Sequence, residues 1–346
     1  MSKELVVRVE PAAAIAGGEV SVECEGYDTS SLWECHATFN GERAHLVGVA
    51  PWRVLAVVPE PFEDSSGEIE VILESRDGVR SQPARLTVGR KLAEDLHIVA
   101  NPAFDPDDGS LYVTRSGTRG QRIPYSLLRV DAGGELSRVN NDITNPTGIA
   151  FDQLGQMFVT SRMDGTVYRV TPFQEAVAFA RDLGIATGLA FDRAGRMYVG
   201  DRAGTIHRVN GRGEAEVFAL LEPSVAAYHL AFGPDDNLYV TGPTVSSNET
   251  VQRIDSDGRV SVFFKGLGRP NGLAFDREGN LYVGASYAGR RGVIRISPDG
   301  GEARLVVAAE MNVVGIAFSA AGDMIVATYE AVYSLPLGIK GTLLKQ

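Results

Sequence analysis

Few residues in this sequence stand at spacings that chemistry requires. The two cysteines, Cys24 and Cys35, are too few for a four-thiolate zinc site, and no HExxH or CxxC pattern accompanies them. They read as small buried residues or thiols, or as a disulfide between adjacent strands, which an oxidising compartment would favour. Nothing beside them would lower a thiol pKa enough for nucleophilic chemistry. The five histidines, His36, His45, His97, His207 and His229, lack zinc-like spacing. No GxGxxG opens a helix, no GxxxxGK[ST] phosphate loop occurs, and Ser116 in RSGTRG is not the centre of a GxSxG elbow. What remains is a set of arginines, chiefly Arg115, Arg162 and Arg202, each just after a short apolar stretch ending in Val-Thr, Val-Thr-Ser or Val-Gly-Asp. The guanidinium fork suits carboxylates, so these three are candidate anion-binding residues if the fold gathers them.

An internal repeat supplies the elements that would gather them. NPAFDPDDGSLYV, TGIAFDQLGQMFV, TGLAFDRAGRMYV, YHLAFGPDDNLYV, NGLAFDREGNLYV and VGIAFSAAGDMIV are six copies of one phrase. Their anchor phenylalanines are Phe104, Phe151, Phe191, Phe232, Phe275 and Phe318, at intervals of 47, 40, 41, 43 and 43 residues. Such a period marks a propeller or solenoid. Each copy reads as an apolar strand, a D-x-x-G turn and a returning strand. A third strand follows with an x-R-[VI] signature (Arg129, Arg169, Arg208, Arg253, Arg295), then a more polar fourth. Recurrence at one repeat position predicts a structural role between blades for these arginines. Ring closure would hide the sheet edges. The last blade needs an edge strand from the terminal LKQ region or from the linker near residue 92.

Residues 97–340 resemble the NHL-repeat and SMP-30/gluconolactonase-like propellers through the phrase (P/T)-x-G-[IL]-A-F-D-x-x-G-x-[LM]-Y-V. Hydrolases of that kind hold a divalent cation, typically calcium, at the channel mouth through oxygen donors from several blades. The resemblance places the informative residues four before each anchor phenylalanine, where this chain has Ala100, Thr147, Thr187, Tyr228, Asn271 and Val314. Only Asn271, in RPNGLAF, keeps a good metal ligand among these channel-lining candidates; hard cations need several oxygens. His229 replaces the glycine found in blades two, three, five and six, and reads as a lining residue or a plug. Asn101, Asn145, Asn312, Asp201, Glu310 and Glu330 lie near strand ends and read mainly as turn formers or solvated charges.

The first ninety residues carry short extended pieces at Glu4–Val9, Glu19–Cys24, Trp33–Asn40, Ala44–Val49, Trp52–Val58, Gly67–Glu74 and Arg85–Val88, parted by Gly, Pro, Asp or Ser. Several such strands in so short a span read as a β-sandwich. In order, PAAAIAGGEVSVECEGYDTS, ATFNGERAHLV, VLAVVPE and GEIEVILESRDGVRSQPARLTV resemble the IPT/TIG immunoglobulin-like domains, which serve as spacers or interaction modules. The expected fold is therefore all-β: an immunoglobulin-like β-sandwich over 1–90 followed by a six-bladed β-propeller over 91–346, with RKLAEDL as a polar junction.

A formal net charge of -11 disfavours nucleic acid and anionic membranes as partners. No window approaches 18 continuous apolar residues. The N-terminus lacks the apolar core of a signal peptide, so the chain as written is expected in the cytoplasm, or exported if a signal segment has been removed. The expected function is noncatalytic binding of a small anionic molecule, a saccharide or a protein, with no cofactor. The alternative is a divergent metal-dependent gluconolactonase-like hydrolase, which would use calcium or another divalent cation.

Overall fold

The computed structural model describes residues 7–24, 36–60, 67–74, 78–96, 102–117, 121, 123–139, 142–246 and 249–342, and all regular structure among them is β. No helix among them is long and apolar enough to cross a membrane.

The six copies of the repeated phrase open six blades of four antiparallel strands, five of them separate sheets and the fifth in sequence part of a larger sheet. Their innermost strands are Ala103–Phe104, Pro146–Phe151, Ala186–Phe191, His229–Phe232, Leu273–Phe275 and Val313–Phe318. Each touches the next, and Ala103–Phe104 also touches Val313–Phe318, so the ring closes. The anchor phenylalanines sit where blades meet. All but Phe104 pack against an aromatic ring on the second strand of the preceding blade: Tyr112 with Phe151, Phe158 with Phe191, Tyr198 with Phe232, Tyr239 with Phe275 and Tyr282 with Phe318, at centroid distances of 4.8–5.7 Å. Tilted and edge-on pairs of this kind add about 0.5–1.5 kcal/mol beyond the area they bury. The aromatic residue of the [LM]-Y-V phrase is thus the partner of the next blade's phenylalanine. Blade six has Ile325 at that place, so the seam from blade six to blade one lacks the pair.

That seam is closed differently. The strand Arg90–Ala93 runs antiparallel to Val332–Leu335 and completes blade six, while Ala93 and Leu96 pack with Leu111, Val113, Ile325 and Val332. Residues 90–96, expected as a polar junction, therefore contain the closing strand. Its charged side chains fit an edge position, where lysine and arginine block further pairing.

In the D-x-x-G turns, Asp152 Oδ1 accepts bonds from the backbone N–H groups of Leu154 and Gln156, and Asp192 and Asp276 do the same in their blades. Three of the five recurrent arginines bond within their own blades: Arg129 to Asp108, Arg208 to Glu216, Arg295 to Asn280. This corrects the expected role between blades. On a pleated sheet the third-strand side chain reaches its second- or fourth-strand neighbour before it reaches another blade.

Before the ring, the strands Val7–Glu10, Glu19–Cys24, Arg53–Val57 and His45–Ala50 form one sheet. Ala84–Val88, Gly67–Glu74, His36–Phe39 and Glu42–Arg43 form part of another, and the two bury a common core that includes Val20, Val22, Val54, Phe39, Ile69, Leu73 and Leu86. Strict alternation over Gly67–Glu74 explains its half-buried face. The segment PAAAIAGG, between the first two expected strands, itself contains a strand, Ala13–Ala14. It lies parallel to both Ala84–Val88 and Ala303–Ala308, joining this sheet to blade five as one nine-stranded sheet. Arg290 of blade five reinforces the joint by donating to the carbonyl oxygens of Glu10 and Glu19, both at 2.9 Å. Cys24 is buried with its thiol 3.9 Å from Pro51 O; Cys35, and hence any Cys24–Cys35 bond, lies outside the described residues.

Tyr198 packs edge-on against both Phe218 and Phe232. Tyr198→Ala is expected to cost about 3–5 kcal/mol of stability by urea unfolding. Phe173→Ala, at a position 87% exposed, should change nothing measurable.

Candidate functional site

The innermost strands begin, and the second strands end, at the same end of the ring. This end holds most of the residues singled out from sequence. Thr147, Thr187, Tyr228, Asn271 and Val314 are all there and only 2–6% exposed. Ala100, like Asn101, lies outside the described residues.

Their polar atoms serve the seams between blades. Thr147 Oγ1 donates to Ala186 O at 3.1 Å in the next blade. Thr187 Oγ1 donates to Gly200 O at 2.9 Å and accepts from Tyr228 N at 3.1 Å. The Tyr228 hydroxyl donates to Glu222 O, and burial, ahead of the Glu222 and Asp201 charges, pushes it up to about 12. A second set of threonines, not singled out from sequence, continues the stitching. Thr114 donates to Thr147 O, Thr160 to Thr187 O and Thr241 to Asn271 O, each across one seam. The recurrent Val-Thr at the second strand's end is the signal that marks them.

In blades two and three an extra residue bulges each innermost strand at Thr147–Gly148 and Thr187–Gly188. A side chain at Gly188 would place Cβ 2.5 Å from Tyr228 O, and one at Gly148 would meet Thr187 O, so these bulges need glycine. Blade four has no bulge: His229 pairs directly with Thr241, and its ring is 4% exposed. Burial lowers its pKa to about 4, so the imidazole is neutral at pH 7. The unfolded chain binds this proton near pH 6.5 and the folded chain only near pH 4. Stability is therefore full above pH 6.5 and falls as pH drops toward 4, by about 3 kcal/mol from this group. His229→Gln should abolish that part of the decline, read from urea midpoints at pH 7 and 4.5.

The arginines divide. Arg115 turns aside, with Nε donating to Asp95 O at 2.9 Å and its guanidinium 4.7 Å from the Tyr125 ring centre. Arg162 and Arg202 follow the equivalent second strands of blades two and three and lie within electrostatic reach of one another. Each is fixed by its backbone N–H, Arg162 to Asn145 O at 3.3 Å and Arg202 to Ile185 O at 3.0 Å. The Arg162 guanidinium is half-buried and has no hydrogen bond or ion pair to any described residue. Burial first, and the Arg202 charge second, lower its pKa. No nearby carboxylate offsets it: Asp164 accepts from Tyr168, and Asp201 accepts from the N–H groups of Ile185 and Ala203. Beside Arg162, the buried Asn145 Oδ1 has no partner among the described residues.

The described ring does not fit a calcium cage. Thr147, Thr187 and Tyr228 are engaged in seams and Val314 is apolar, which leaves the Asn271 carbonyl oxygen as the ring's remaining donor; its Nδ2 donates to Arg269 O at 2.9 Å. Among the described residues, no three His, Cys, Asp or Glu side chains converge as metal ligands would.

No protein-family model and no curated protein matches the sequence. Solved structures do. The chain is similar to a gluconolactonase from Xanthomonas campestris (TM-score 0.60, 18% identity, 75% of this chain and 90% of that one). It is similar to a calcium-binding regucalcin from Agrobacterium tumefaciens (0.59, 17%, 74% and 95%). It is also similar to an auxiliary nutrient binding protein from Bacteroides ovatus (0.52, 15%, 99% and 99%). At these identities the likeness establishes a propeller fold and nothing finer.

Proposed function

We propose that the chain is a noncatalytic binding protein whose propeller takes a small carboxylate-bearing ligand, such as an acidic saccharide, beside Arg162 and Arg202. Residues 1–90 would be an immunoglobulin-like accessory module of the IPT/TIG kind and 91–346 a six-bladed propeller, with Arg90–Ala93 as the strand that locks the two together. The observation that carries this reading is the Arg162 guanidinium, half-buried within electrostatic reach of a second cation and without an ion pair to any described residue. Burying an uncompensated charge is costly, and a bound anion would remove the penalty. Two forks side by side suit the planar carboxylate better than a spherical ion. A thermal-shift panel of gluconate, galacturonate, succinate and inorganic phosphate against their neutral analogues tests the reading. The carboxylates should raise the melting temperature; equal responses to glucose and gluconate would contradict it.

A second reading is a divergent metal-dependent hydrolase centred on Asn271, favoured by its side-chain Oδ1, which has no hydrogen-bond partner among the described residues. Submillimolar one-to-one calcium binding that weakens in Asn271→Ala would support it, and no detectable heat would exclude its calcium-dependent form.

A further inference from the structure

A cavity of about 670 Å³ lies between the N-terminal sheets and blade six, within the size range of small-molecule sites. The N-terminal region supplies Ile15, Ala16 and Glu60 to its wall, the closing segment Glu94 and Asp95, and blade six Glu310, Glu330 and Tyr333. Five carboxylates thus face two cations, Lys91 and Arg115. Both cations are already engaged: Lys91 Nζ lies 3.4 Å from Glu94, and Arg115 is held by Asp95 O and the Tyr125 ring.

Tyr333 gives the cavity its polar centre. The residue is 7% exposed, packed at its base against Ile15 and Leu335, yet its hydroxyl has no hydrogen-bond partner among the described residues and the residue lines the cavity. Glu60, Glu330, Glu94 and Glu310 all lie within electrostatic reach of that hydroxyl; burial, with their charges added, pushes it up to about 12. The carboxylates are spread around the space: no three of the described acidic, His or Cys side chains are close enough to share a metal ion. An extended organic cation could meet them one by one, with its alkyl part over the Tyr329 and Tyr333 rings. A bare divalent ion could not.

We propose that this cleft is a binding site for a small aliphatic di- or polyamine, assembled only when the N-terminal module is docked on blade six. The site is separate from the Arg162–Arg202 pair in place and in charge, and the two readings stand or fall independently.

Calorimetric titration of the full chain at low salt with spermidine and 1,4-diaminobutane tests this, with uncharged 1,4-butanediol and calcium chloride as comparisons. The expected result is one-to-one binding of the amines, no heat from the diol, and weaker or no binding of calcium. Glu310→Gln/Glu330→Gln should lower spermidine affinity at least tenfold, and Tyr333→Phe about threefold, while Arg162→Met leaves it unchanged. Glu330→Gln alone serves if the double variant does not fold. Absence of binding by the wild-type chain, or affinity unmoved by the glutamine and phenylalanine substitutions, overturns the proposal.

Discussion

Removing residues 1–93 is expected to abolish the cooperative unfolding transition of the propeller, whereas removing only 1–88 preserves one at reduced stability. The difference lies in Arg90–Ala93, which pairs Arg90 with Ser334, Lys91 with Tyr333 and Ala93 with Val332. Five seams of the ring have an aromatic pair; the seam from blade six to blade one has Ile325 and depends on this strand. Each net ladder bond is worth about 0.5–1.5 kcal/mol, and the burial of Leu96, which stays in the chain but loses the strand that holds it in place, about 1.5–3. Losing them together removes much of the 5–15 kcal/mol that a typical domain has. The shorter deletion keeps the strand but bares the edge of Ala303–Ala308 and takes away Ile15, so its melting point should fall. Equal urea transitions for chains starting at 89 and 94 would show that closure does not depend on this strand.

The second large effect concerns Arg162. Arg162→Met should weaken carboxylate binding about 10- to 100-fold, the worth of a hydrogen-bonded charge at roughly 1.5–3 kcal/mol. The same substitution should stabilise the ligand-free chain, by about 1 kcal/mol, because a desolvated guanidinium without an anion is replaced by a side chain of similar reach. A residue retained only for packing would show the opposite sign. Arg202, which is exposed, should contribute less affinity and more salt dependence.

The order of the strands was legible because the anchor phenylalanines and the D-x-x-G turns repeat at one period, and each recurs for a local reason that the structure displays. The need for a closing strand was legible and the linker near residue 92 was one of its two candidates, but the choice between them was not, because RKLAEDL is short and charged, as an edge strand should be, and its partner Val332–Leu335 lies some 240 residues away. At the open end, position four before each phenylalanine could be located from sequence, but not the direction of its polar atoms. Thr147 and Thr187 bond across seams that exist only once blades are in register. Arg162 and Arg202 could be grouped because they occupy equivalent places in adjacent blades. Arg115 occupies the same place in blade one, yet Tyr125, in the longer loop of that blade, draws it away. The cavity around Tyr333 could not be read at all, since Glu94 reaches Glu310 and Glu330 only through the closing strand, and Glu60 joins them only where the N-terminal sheets meet the propeller.

The most direct test of the binding account is a calorimetric titration with the carboxylate that gives the largest thermal shift, run on the wild-type chain and on Arg162→Met. The account predicts one-to-one binding, at least tenfold weaker in the variant, with the variant more stable when no ligand is present. Undiminished binding by Arg162→Met, or a ligand-free variant less stable than the wild type, would contradict it.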